Sequence, residues 1–265
     1  SAHDVCRRHV YRGGSLEEGL RLGSLHLIRE YGDFEPPEDG PASMKSKTWD
    51  RLLTAFILYY DVWHPSQDVF IPVALPDGQV GVEYSFAVPM DINHPVTEEP
   101  LLYAGRFDQL VHMCTSGWKG HYTDAIVNSP IFGHDDKTTY QMGATWAKQW
   151  THRSQFLGYT WAQRRLGVNL RGFLIRGAAI QKTNIRHEQC VVMHPKWKID
   201  AWEEMTLEVV TDLIVAWRSG VFHQMFDDAC GSYGGCSYAG LCDTPRPEAR
   251  LHEFAIHKWN PVNED

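Results

Sequence analysis

Phe132-Gly133-His134-Asp135-Asp136-Lys137-Thr138-Thr139 places two adjacent carboxylates and an ammonium group in a stretch that reads as an extended strand. Side chains alternate across a strand, so Asp135 and Lys137 share one face and Asp136 points to the other. That geometry selects Asp135 over Asp136. Tyr103-Ala104-Gly105-Arg106-Phe107-Asp108 is also strand-like, and on a neighbouring strand Asp108 brings a second carboxylate to the same point. Two such oxygen ligands suit Mg²⁺ or Mn²⁺. A lysine beside them can orient a water or stabilise developing negative charge. These are the parts that phosphodiester hydrolysis requires.

Outward from these strands, Ser15 and Glu18 form a capping-box pattern ahead of Leu16, Leu20 and Leu27, which predicts a helix over Leu16–Tyr31. Gly32–Ser46 is rich in Pro, Gly, Asp and Glu and reads as a loop. A second helix is predicted over Thr48–Val62, a third over His152–Leu166 and a last over Ile199–Arg218, ending at Gly220. Strands are predicted over Val80–Pro89, Leu101–Met113, Ala125–Asp136, Gly172–Gln181 and Gln189–Met193. The alternation predicts an α/β fold with a central mixed β-sheet flanked by helices.

The chain has 265 residues, 43% apolar and 12% aromatic, enough for a substantial core and unlike a disordered, collagen-like or coiled-coil chain. The longest apolar run, Leu52–Tyr60, falls far short of a membrane span, so no membrane partner is expected. The opening residues lack an apolar signal region, and a cytoplasmic location is expected. The net charge of −8 conceals an asymmetry: Lys137–Arg186 contains nine Lys or Arg and no Asp or Glu. Trp146, Trp150, Phe156, Tyr159 and Trp161 are interleaved with Lys148, Arg153, Arg164 and Arg165. Cations track phosphates and aromatic rings stack on bases, so these four basic residues are candidate DNA contacts. A solvated basic face over core aromatics is the equally weighted alternative.

Gln155 and Tyr159 are spaced i, i+4 on the helix after the Asp-x-Lys strand, and His26 lies in Leu22-Gly23-Ser24-Leu25-His26 on the opening helix. The order of helix His, strand Asp, Asp-x-Lys and Gln-x-x-x-Tyr resembles the RecB-like branch of the PD-(D/E)xK nucleases, which includes phage exonucleases and CRISPR-associated adaptation nucleases. The resemblance implies a restriction-endonuclease-like core and a metal-dependent DNA exonuclease of phage or bacterial origin. A structure-specific or restriction-type endonuclease and a non-catalytic DNA-binding protein are the rivals. It implies that His26, Asp108 and Asp135, with the Asp136 carbonyl, hold Mg²⁺ or Mn²⁺. Lys137 would assist the attacking water, while Gln155 and Tyr159 position single- or double-stranded DNA. It implies one nuclease domain over 1–265, with a helical part at 1–65, a catalytic core at 66–196 and a C-terminal helix with a cysteine cluster at 197–265. A recombination or replication partner protein would accompany it, in a bacterial host cell if the chain is phage-encoded. Phe107 stands where the family has a nominal Pro, and the long interval before Asp135 suggests a hairpin extension around Thr115–Asp124. Asp124 is an alternative ligand, and Glu83 resembles a further acidic position of these enzymes.

Cys230, Cys236 and Cys242 are spaced by five residues, many of them small, a pattern that lets a tight loop wrap a metal centre. The same nuclease branch has members with one N-terminal and three C-terminal cysteines on a 4Fe-4S cluster. The resemblance therefore implies Cys6 as the fourth ligand of an iron-sulfur staple joining the two ends of the domain. Zinc is the alternative metal. Cys114 and Cys190 read as inert core residues.

Overall fold

The computed structural model describes residues 1–36, 42–75, 78–223, 230–231 and 235–255. The chain opens with helices α1 (Ala2–Val10), α2 (Leu16–Tyr31), α3 (Ala42–Lys45) and α4 (Trp49–Val62). Strands β1 (Phe70–Pro72), β2 (Val82–Asn93) and β3 (Pro100–Met113) follow, then α5 (Asp124–Val127), β4 (Ile131–Thr139) and α6 (Ser154–Arg165). The order continues with β5 (Leu170–Ile180), β6 (Ile185–Val192), α7 (Lys196–Ser219) and α8 (Ala239–Cys242).

The six strands form one mixed sheet in the order β1-β3-β4-β5-β6, with β2 also pairing β3. β2 and then β1 take one edge of β3 in succession, and β4 takes the other, all antiparallel. β4 and β5 run parallel, connected through α6. The α/β class and the mixed sheet flanked by helices are therefore as the sequence pattern predicts.

Each sheet face carries its own core. Phe86, Phe107, Phe156, Phe173, Trp161 and Trp202 fill one between the sheet, α6 and α7. Cys6, Val10, Phe56, Tyr60 and Ile71 belong to the other, beneath α1, α2 and α4. Close packing in the second depends on Gly23. A Cβ there would stand 2.5 Å from the Phe56 ring and 2.7 Å from the Ala2 carbonyl, so only glycine lets α2 approach both neighbours.

Ser15 caps α2 by accepting a hydrogen bond from the Glu18 N–H at 3.2 Å, as the capping pattern predicts. Three local departures have physical causes. Residues 124–127 begin no strand: Thr123 Oγ accepts from Ile126 N–H at 3.4 Å and caps a turn of helix, and β4 starts only at Ile131. Among the described residues, the stretch Thr115–Asp124 forms turns rather than a hairpin. Within Gly32–Ser46, part of which lies outside the described residues, Ala42–Lys45 forms α3. No helix is long and apolar enough to cross a membrane among the described residues.

The helical layer bears charge as well as apolar surface. Arg176 is 4% exposed and donates to Asp68 at 2.7 Å and to Tyr59 Oη at 3.2 Å, with its guanidinium over the Trp63 ring. Breaking a buried pair leaves the remaining charge uncompensated. Asp68→Asn, which retains an acceptor for the Phe70 N–H, is expected to cost about 3–5 kcal/mol in urea unfolding with an unchanged slope. A loss below about 1 kcal/mol, the size of a surface pair, would contradict this.

Candidate active site

Gln109 pairs with His134 at the end of the β3–β4 ladder, which sets Asp108 beside Asp135 and Asp136. Asp108 Oδ2 accepts the Asp136 backbone N–H at 2.6 Å. Asp135 Oδ2 lies 2.6 Å from Lys137 Nζ, and its Oδ1 accepts from Gln155 Nε2 at 3.1 Å. Lys137 Nζ also donates to Gln155 Oε1 at 3.5 Å. Alternation along β4 and the first turn of α6 thus bring Asp108, Asp135, Lys137 and Gln155 into one cluster.

The strands bend their own pattern to make it. Along β3, Gly105 and Phe107 face Tyr159 of α6, yet Gln109 turns to the other face, against His134 and Arg7. Along β2, Phe86 and Tyr84 join the α6-side core, while Val82 joins the core under α1 and α2. Both strands change phase together between the pairs Tyr84–Phe107 and Val82–Gln109, at Glu83 opposite Asp108. Glu83 has φ +52°, a left-handed conformation that costs a non-glycine residue energy. Such strain persists where surrounding structure enforces it and clusters at functional sites.

Asp136 points to the helical layer, as strand alternation predicts. Its Oδ2 lies 2.6 Å from Arg7 Nη2, and its Oδ1 lies 3.1 Å from His134 Nε2. Arg7, 3% exposed, also donates to Tyr59 Oη at 2.7 Å. Burial acts to raise the Asp136 carboxyl, but Arg7 and His134 outweigh it and hold the group well below the usual carboxylate range. Asp108 is the converse. Burial first, then the charges of Asp135 and Asp136, push it well above that range. Burial also raises Asp135, opposed by Lys137. Glu83 is pushed up to about 7 by burial and by Asp4 of α1, and lies 3.7 Å from Arg106.

The other predicted residues fall in several places. Tyr159 Oη accepts the Arg106 backbone N–H at 3.3 Å, and its ring packs on Phe86 and Phe107, so it braces β3 two residues before Asp108. A Cβ at residue 105 would collide with that ring at 2.6 Å, which accounts for Gly105. His26 does not join the carboxylates: it lines a cleft of about 680 Å³ with His3, Glu30, Lys47, Thr138 and Ala178, on the sheet face opposite Lys137. Lys148 and Arg153 are exposed and line adjoining clefts beside Lys137 and Gln155. Arg164 and Arg165 lie at the far end of α6, about 15 Å along its axis. Arg165 is held by Asp91 at 2.8 and 2.9 Å and stacks on Trp161. Arg7, His3 and Asp4 of the short opening helix carry no motif, and His134, next to Asp135 in β4, is not singled out by the Asp-x-Lys motif.

Asp135 is buried and Asp108 half-buried, and the Asp135 charge helps push Asp108 up, so a divalent cation beside them would offset that repulsion. Mg²⁺ and Mn²⁺ need few protein carboxylates when water and substrate complete the shell. The pair fits such an ion, although among the described residues no group of three His, Cys, Asp or Glu side chains is placed to hold one. Among the described residues, Cys6, Cys230, Cys236 and Cys242 form no group placed to hold a metal ion. Cys6 is fully enclosed between α1, α2 and α4, whereas Cys230, Cys236 and Cys242 are exposed. Part of the loop between Cys230 and Cys236 lies outside the described residues. Comparison with protein-family models and with curated proteins returned no match.

Because Asp108 binds its proton more tightly in the folded chain, stability falls as pH rises from the ordinary carboxylate range toward the folded value. In EDTA, Asp108→Asn is expected to unfold at a higher temperature than wild type at neutral pH, with the difference vanishing below the ordinary carboxylate range. A variant equally destabilised at every pH would contradict the shift.

Proposed function

We propose that this protein is a metal-dependent deoxyribonuclease with a restriction-endonuclease-like core, acting as an exonuclease. The observation that carries the reading is the convergence of Asp108, Asp135, Lys137 and Gln155 at the junction of two central strands and one helix. The basic, aromatic-rich segment that follows Lys137 supports a polyanionic strand as substrate. The proposed assignment of Lys148 and Arg153 as DNA contacts follows from their position beside the cluster, and that of Arg164 from its exposure on α6.

Asp108 and Asp135 would hold Mg²⁺ or Mn²⁺, and the chemistry the bound ion supplies is charge neutralisation and an acidified water. Gln155 fixes the Asp135 carboxylate in orientation through its amide N–H. Lys137, held between Asp135 and Gln155, sets a positive charge beside the phosphate and can orient the attacking water. The Asp136 N–H holds Asp108 in place. No step runs through an iron-sulfur cluster.

Incubation with end-labelled linear and closed circular DNA plus Mn²⁺ tests the reading. Linear DNA is expected to be degraded and circular DNA spared, with Asp108→Ala abolishing cleavage while retaining binding. Cleavage of the circle would replace the exonuclease with an endonuclease on the same residues. DNA binding without cleavage in wild type would reject the hydrolase.

A further inference from the structure

We propose that the exposed face of α7 docks a basic amphipathic helix of a partner protein. Every fourth residue along this helix, Trp197, Ala201, Met205, Val209, Leu213 and Trp217, is apolar and exposed. The five large ones are 49–68% exposed. At 1.5 Å per residue they form a ridge about 30 Å long. The proposal is independent of the nuclease reading.

The ridge is not what holds α7 to the domain. Ile199 and Trp202 are buried on another side of the helix, and Leu207 and Val210 pack against the α6-side core. The Trp217 ring lies 6.2 Å from that of His94, in the turn between β2 and β3, so the far end of the helix is braced as well. Apolar residues scattered singly on a surface are ordinary, but a contiguous exposed run marks an interaction site. Side chains at i, i+4 spacing form the kind of ridge that seats in the groove of a second helix. Charge identifies which helix. The row one residue back from the ridge is acidic: Glu204, Glu208 and Asp212 are exposed at the same spacing, and none has an ion pair among the described residues. Asp200 and Glu203 differ, being paired with Lys196 and Arg165. Charges flanking an apolar seam set partner choice, so the complement is an apolar stripe edged by Lys or Arg. The same row disfavours other occupants. An antiparallel two-fold pair of α7 helices would set it against its own copy. A nucleic-acid strand or an anionic bilayer would be repelled by it.

Fluorescence anisotropy of the full chain with labelled synthetic peptides tests this. The first peptide carries leucines at helical spacing flanked by lysines, the second the same leucines flanked by glutamates, and the third is a scramble of the first. Saturable binding of the lysine-flanked peptide is expected, with neither of the others bound. Val209→Glu, at the centre of the ridge, is expected to weaken binding about tenfold at unchanged thermal unfolding, because the residue is exposed in the free chain. Combining Glu204→Lys with Glu208→Lys should transfer the preference to the glutamate-flanked peptide. Absence of binding, equal binding of the lysine-flanked peptide and its scramble, or indifference to Val209→Glu would overturn the proposal. Light scattering that shows a dimer of the full chain, dissociated by Val209→Glu, would overturn it in favour of a second copy. Flotation of the chain with anionic vesicles, lost in the same variant, would overturn it in favour of a membrane surface.

Discussion

Gathering the charges of Asp108, Asp135 and Asp136 where β3 meets β4 is the constraint on which the molecule turns. Strand alternation at β4 divides the problem between two faces. Asp135 meets Lys137 and Gln155 on one, and Asp136 meets Arg7 and His134 on the other. The two are coupled because the same Asp136 that is anchored by Arg7 offers its N–H to Asp108. The first helix therefore acts on Asp108 through the Asp136 backbone. Asp108 remains the least compensated group, pushed well above the usual carboxylate range by burial and by the charges of Asp135 and Asp136.

The second face is correspondingly expensive. Two guanidiniums, Arg7 and Arg176, are enclosed with Tyr59 between them, and each has one carboxylate partner. Buried pairs of this kind contribute little net stability, but they penalise any arrangement that separates the partners. In this fold they tie α1 and the segment after α4 to β4 and β5, which fixes the register of the helical layer over the sheet. The α6-side core does the reverse: it is aromatic, and Phe107, Phe156, Phe173 and Tyr159 pack directly behind the carboxylate cluster.

Much of this was legible from residues alone, for identifiable reasons. Capping by Ser15 and a regular leucine spacing located α2 at both ends. Alternation selected Asp135 over Asp136, and helical spacing put Gln155 and Tyr159 on one face of the helix after the Asp-x-Lys strand. What escaped was set by tertiary geometry. The phase change at Glu83 and Asp108 leaves no trace in composition, because either residue suits a regular strand. Arg7 lies in α1, whose apolar Ala2, Cys6 and Val10 recur at helical spacing, but a cation beside them reads as solvent-facing until its buried partners Asp136 and Tyr59 are known. Tyr159 faces the predicted side of α6, yet its hydroxyl serves the β3 backbone. His26 and Cys6 were assigned by resemblance rather than by local chemistry. The fold puts the first in a cleft behind the sheet and the second in an apolar core.

The central claim is that Asp108 and Asp135 act as one divalent-ion site. Mn²⁺ titration followed by electron paramagnetic resonance measures it directly, without DNA or turnover. Wild-type protein is predicted to remove the free-ion signal saturably at one ion per chain, and Asp108→Asn and Asp135→Asn should each abolish that binding. Equal Mn²⁺ uptake by wild type and both variants would contradict the account.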